Sequence, residues 1–181
     1  MSQIHRCTWV GDNELLVSYH DLEWGVAVHD DRLLFEMLNL EGAQAGLSWS
    51  TILKKRDNYR KTFDKFEVNK IIKYKNAKVA SFMKDKGIVR NRLKIKAVIE
   101  NAKALMAVQK EFGSFDKYVW AFVHNKSISH KKRKEAIFIS DNLSKDLKKR
   151  GFKFVGPTIC FAFMQAVGLV NDHTPDCFCG K

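Results

Sequence analysis

The two ends of this chain carry matching half-sites, and these constrain the fold more than any other feature. Cys7 and His20 lie near the start; His173 and Cys177 lie near the end, spaced H-x3-C. Two thiols and two imidazoles are a donor set that suits tetrahedral zinc. One metal that took all four would tie the ends together and close residues 1–181 into a single unit. Cys179 offers a second thiol beside Cys177, and the spacing to His173 favours Cys177. The plainer alternative is a set of unrelated core cysteines and histidines. The start, MSQIHRCTWVGDNE, has no long apolar stretch of the secretory kind. The expected compartment is therefore the cytoplasm, where thiols stay reduced and serve as metal ligands or free groups.

At 181 residues and 45% hydrophobic content the chain is long enough for one domain with a real core. No apolar run approaches the length of a membrane span, so no membrane partner is expected. Thirty-two Lys and Arg against 20 Asp and Glu leave a net charge of +12. A folded domain this basic attracts polyanions, DNA or RNA foremost, although much of the lysine also suits a solvated surface.

Most of the chain reads as helix. The run Leu33, Leu34, Phe35, Met37, Leu38 and Leu40 is too densely apolar for a surface helix, which predicts a central one. Ile95, Val98, Ile99, Ala102, Leu105 and Met106 recur at spacings of three and four, as on an amphipathic helix. Tyr118 to Val123 fits helix or strand, and Ala136 to Ser140 passes for a short strand. Ser140-Asp141-Asn142 then caps a predicted helix from about Leu143 to Arg150. Lys131, Lys132, Arg133 and Lys134 read as a solvated loop.

The end of that helix is better marked. Lys148, Lys149 and Arg150 fill its last turn and Gly151 follows, as the dipole and a left-handed cap both prefer. Gly156-Pro157-Thr158 then opens a second helix, apolar almost all round through Leu169, with Cys160 packed inside it. Helix, tight turn, helix over about 143–169 is a helix-hairpin-helix pattern. Its turn and the free N–H groups of the second helix suit a phosphate, so Gly151, Lys153, Gly156 and Thr158 are candidate DNA contacts. An ordinary helix corner is the plainer reading, and the basic neighbours tilt against it.

Glu41 ends the dense apolar run, where a carboxylate must face a cavity, a partner or solvent. The small residues of Gly42-Ala43-Gln44-Ala45-Gly46 would let a flat ligand approach, and Trp49 offers a stacking face. On pattern alone the bland reading is favoured: Glu41 meets water at a helix end and Trp49 is core. Trp9, Tyr19 and Trp24 lie beside the first metal pair.

These residues together resemble the 3-methyladenine DNA glycosylase I family. The matching blocks are Cys7-x-Trp9, Tyr19-His20-Asp21-x-Glu23-Trp24-Gly25 and Leu40-Glu41-Gly42-x-Gln44-Ala45-Gly46-Leu47-Ser48-Trp49. They continue through Ile52 to Arg56, Arg150 to Gly156, Phe163 to Ala166 and Gly168 to His173, in order over nearly the whole chain. The resemblance implies an all-α fold of the helix-hairpin-helix DNA glycosylase superfamily, with a structural zinc on Cys7, His20, His173 and Cys177 joining the termini. It implies that Glu41 recognises the methylated adenine. Tyr19 and Trp49 match base-pocket aromatics, Trp9 and Trp24 flanking pocket positions, and Leu47 a side chain that enters the gap in the duplex. Leu16 stands where close relatives carry a pocket tyrosine. The implied partner is double-stranded DNA containing alkylated bases, the product free 3-methyladenine, and the expected state a monomer.

On this reading the enzyme hydrolyses the N-glycosidic bond of a base already made cationic, with no lyase step. Asp172 then supports its neighbour His173 rather than the chemistry. Two other readings compete: a zinc-clasped DNA-binding module without activity, and a glycosylase for a different lesion.

Overall fold

The computed structural model describes residues 4–180. Among them the chain forms nine α-helices: α1 (Glu14–Leu22), α2 (Asp31–Gln44), α3 (Trp49–Thr62), α4 (Val68–Ile71), α5 (Asn76–Phe82), α6 (Arg92–Phe112), α7 (Phe115–Ala121), α8 (Arg133–Lys149) and α9 (Pro157–Ala166). The one strand pairing among the described residues is a two-residue parallel bridge, Ile128 to Val170 and Ser129 to Asn171. The protein is thus mostly helical, as expected. None of these helices is long and apolar enough to cross a membrane.

Polar residues just ahead of the apolar runs explain where the main helices start. The side chains of Asn13, Asp30, Ser48, Asn91 and Ser114 accept N–H bonds from the first turns of α1, α2, α3, α6 and α7. Helix α2 is buried from Leu34 to Ala43 and packs on α3, α6 and α9, which makes it the central helix its density predicts. Helix α6 buries Ile95, Val98, Ile99, Ala102 and Leu105, while Met106 stays 40% exposed on its outer side.

Three local expectations need correction. Residues 136–140 are helical, not strand, because α8 begins ten residues before Leu143. Ser140 does not cap a helix; it sits inside α8 and its hydroxyl donates to the Ile137 carbonyl. The basic run is not a loop throughout, since Arg133 and Lys134 open α8. Arg133 lies over the Phe161 ring and pairs with Asp172, so tertiary partners extend the helix upstream. Tyr118 to Ala121 is helical, within α7.

Helices α8 and α9 pack together across the turn 150–156. Gly151 takes φ +95°, and Phe152 N–H returns to the Leu147 carbonyl, closing α8 as the glycine predicted. Phe152 and Val155 are buried, and the Ser144 hydroxyl donates to Val155 O at 2.6 Å, so the turn is anchored from inside. Pro157 occupies the first turn of α9.

Candidate active site

Helices α1, α2, α3 and α9 converge on one cleft. Trp9, Tyr19, Trp24, Glu41, Gln44, Trp49, Ala162 and Gln165 line a cavity of about 220 Å³. A second cavity of about 240 Å³ shares Glu41, Gln44 and Ala162 with it and runs on past Ala45, Gly46, Leu47, Thr158 and Ile159. The two form a continuous groove with Glu41 at their junction.

Glu41 is only 4% exposed, so the bland reading of a solvated helix end does not hold. Among the described residues no group donates to its carboxylate, and burial pushes its pKa from the usual 4.5 up to about 8. Tyr19 and Trp49 face each other at 5.3 Å between ring centroids, tilted by 55°. Trp9 and Trp24 meet edge to face at 5.0 Å, Trp9 at the rim with 41% of its surface exposed. These tryptophans make a wall of the groove although Leu16 is not among its lining residues. Burial, with Glu41 and Glu23 nearby, holds the Tyr19 hydroxyl well above its ordinary pKa, so it stays neutral. The indole N–H of Trp49 is buried and finds no acceptor among the described residues.

Other groups hold this arrangement in place. Arg56 grips Glu23 with two bonds of 2.6 and 2.8 Å, close enough for both charges to act on the Tyr19 hydroxyl. The Lys94 ammonium donates to the Ala43 and Ala45 carbonyls at 2.8 and 2.6 Å, satisfying the end of α2 and fixing the loop that carries Leu47. Gln165 donates to Asp172 at 2.6 Å, so Asp172 supports a pocket residue from behind and not, as expected, His173, whose Nδ1 bonds Asn171. Sequence reasoning missed Lys94 and the pocket role of Gln165. Neither has a local signature, because each acts on residues far along the chain.

The hairpin candidates fall beside the groove. Leu47 is 41% exposed at its edge, and Thr158 lines it at the start of α9. Gly156 is the residue before the helix and provides no side-chain cap, which leaves the first N–H groups of α9 open. Lys153 is exposed in the turn.

At the joined ends, one atom each from His20, His173, Cys177 and Cys179 lies within 4.8 Å of the others. His20 Nδ1 bonds Asp21 at 2.8 Å, which turns its Nε2 toward Cys177 Sγ at 3.4 Å. His173 Nδ1 bonds Asn171 at 2.9 Å, and its buried Nε2 has no partner among the described residues. Two imidazoles oriented from behind, one with an orphaned nitrogen aimed at thiols, fit a zinc centre. Cys7 is buried against Cys177 and accepts the Thr174 N–H at 3.4 Å. It stands beside the four-residue group rather than in it, and Cys179 is the thiol brought within its span.

Comparison with known proteins adds independent findings. A family model described as methyladenine glycosylase matches residues 9–180. The chain is 48% identical over 181 residues to DNA-3-methyladenine glycosylase 1 of Escherichia coli (strain K12), covering 97% of each chain. A crystal structure of 3-methyladenine DNA glycosylase I superposes with a TM-score of 0.92 at 48% identity, covering 98% of this chain and all of its own. The 3-methyladenine DNA glycosylase I of Staphylococcus aureus, solved to define 3-methyladenine recognition, superposes with a TM-score of 0.91 at 34% identity, covering 97% and 96%.

Proposed function

This chain belongs to the methyladenine glycosylase family, and on that premise we propose that it excises 3-methyladenine from alkylated double-stranded DNA, releasing the free base and leaving an abasic site. The observation that carries this reading is Glu41, a buried carboxylate with no donor among the described residues, at the junction of an aromatic-walled groove.

A base stacked in a duplex cannot reach such a groove, so the nucleotide rotates out. Leu47 fills the space it leaves. The open amides at the start of α9, with Gly151, Lys153, Gly156 and Thr158 around them, hold phosphates and position the strand without reading sequence. The basic surface supplies salt-sensitive affinity.

Selectivity follows from charge. Methylation at N3 makes adenine cationic, and each aromatic face then contributes roughly 0.5–2 kcal/mol that neutral adenine does not receive. Ionising Glu41 at pH 7, one unit below its pKa of about 8, costs about 1.4 kcal/mol. A cation 4 Å away returns roughly 4 kcal/mol at an effective dielectric of about 20. The damaged base therefore ionises its own receptor, and an ordinary adenine leaves Glu41 protonated. The cationic base departs neutral, so the reaction needs no general acid. The sugar develops oxocarbenium character and water completes the hydrolysis. Glu41 binds the base and orients that water. Departure of a cationic base needs no lysine as a Schiff-base nucleophile, which supports a monofunctional hydrolysis without a lyase step.

We assign the metal centre a structural zinc, held by His20, His173, Cys177 and Cys7. Cys7 is the more buried of the two remaining thiols, and its sulfur already accepts an amide, as metal-bound thiolates do. Bound there, zinc supplies a cross-link between the two ends of the chain and leaves no position for water. The unpaired thiols suit the reducing cytoplasm, and a monomer is sufficient for the site.

A binding module without activity has no use for a buried carboxylate beside flat aromatics, which disfavours that alternative. The test is direct: incubate the protein with methylated duplex DNA and separate the released bases by chromatography. Release of 3-methyladenine is expected. Release of a different base moves the substrate, and release of none refutes an excision role.

A further inference from the structure

Between the hairpin turn and the central helix lies a buried polar contact that neither the pocket nor the metal centre uses. Asn101, on α6 and 2% exposed, pairs with both main-chain groups of one turn residue. Its Oδ1 accepts the Lys153 N–H at 2.7 Å and its Nδ2 donates to the Lys153 carbonyl at 3.2 Å. The same Nδ2 donates to Asn39 Oδ1 at 2.9 Å, and Asn39 Nδ2 donates to Phe35 O on α2 at 2.8 Å. A continuous chain of amides thus runs from the turn to the helix that carries Glu41. A second contact reinforces it. A Cβ on Gly42, next to Glu41, would lie 3.1 Å from the Phe154 Cβ and 3.2 Å from its carbonyl, so the bare Gly42 backbone lies directly against Phe154 of the turn. Phe154 holds φ +55° there, a conformation that needs support from its surroundings.

We propose that Asn101 is a positioning residue that locks the hairpin turn to α6, which packs against α2, and so sets the distance between the phosphate grip and Glu41. This rests on the glycosylase reading above. A buried amide is not required to fill this space, since apolar groups of similar shape serve stability as well. What an amide adds is direction: it recognises one peptide unit bidentately and resists any slide of the turn, because a slide would leave two buried polar groups unpaired. An extruded base must arrive in register with its pocket, and displacements near 1 Å are costly in such geometry.

The test compares Asn101→Ala with Asn39→Ala in the full chain. Both remove the bond between the two asparagines, but only the first releases Lys153. Both are expected to lower the melting temperature and to bind free 3-methyladenine within about twofold of wild type. Only Asn101→Ala is expected to raise KM for methylated duplex by about tenfold or more. Its dependence of log KM on log salt is expected to become shallower by about 0.9, one phosphate contact. A loss of stability alone does not move that slope. If Asn101→Ala cannot be isolated folded, Gly42→Ala presses the same junction from the other side and is expected to reproduce the KM and slope changes. Unchanged KM and slope in whichever variant folds, or equal changes in Asn39→Ala, overturn the proposal. A wild-type protein that releases no 3-methyladenine overturns both this proposal and the function it rests on, whereas an active wild type with unaltered variants overturns the coupling alone.

Discussion

Replacing Glu41 with glutamine separates what this residue contributes to recognition from what it costs the fold. In the native protein its pKa is about 8, against the usual 4.5. The folded state therefore holds more protons than the unfolded state between those two values, and folding loses stability as pH rises through that window. The contribution is intact below about pH 4.5 and gone above about 8. Integrated from the two pKa values, wild type gives up about 3 kcal/mol by pH 7 but less than about 1 kcal/mol at pH 5. Glutamine keeps the shape and carries no charge at any pH. Glu41→Gln should thus match wild type in acid and exceed it by about 3 kcal/mol at pH 7, as a higher urea midpoint with an unchanged slope. The variant should also bind free 3-methyladenine far more weakly while holding undamaged duplex as before. Urea titrations of both proteins from pH 5 to 8, with base binding followed by tryptophan fluorescence, measure all of this. A stability gap that stays flat with pH, or a variant less stable than wild type at pH 7, would refute the burial argument. Equal affinity for the base would refute the recognition role.

Three further outcomes follow from the same geometry. Cys7→Ala should lower zinc content, measured by elemental mass spectrometry, and the melting temperature, while Cys179→Ala should keep a full complement; the reverse would make Cys179 the fourth ligand. Leu47→Ala should slow excision from duplex while leaving affinity for the free base unchanged, because the side chain lies at the groove edge rather than in the aromatic wall; a loss of free-base binding would place it in the pocket instead. Trp49→Ala should weaken binding of the methylated base by about 1 kcal/mol or more, read by titration calorimetry; an unchanged constant would make Trp49 packing alone.

Local chemistry was legible along the chain, and distant encounters were not. Gly151 and Pro157 bound the turn, because a left-handed residue or a helix-opening proline acts on its own neighbours, whereas the one cap read from sequence, Ser140-Asp141-Asn142, lies inside α8. The metal donors were readable as residue types, and the family blocks located Glu41, Tyr19 and Trp49. The start of α8 escaped, since Arg133 is held there by Phe161 and Asp172, which arrive from α9 and beyond. Periodicity left Glu41 at a helix end with solvent as the default neighbour. Only the packing of α1, α3 and α9 around α2 removed the water, and with it came the carboxyl's raised pKa. The same holds for Asn101: an asparagine in an amphipathic helix says nothing of Lys153, 52 residues on. Burial and orientation depend on what folds back from elsewhere, so residue order alone specifies the donors and acceptors, and tertiary structure decides which of them meet and which are left to find a ligand.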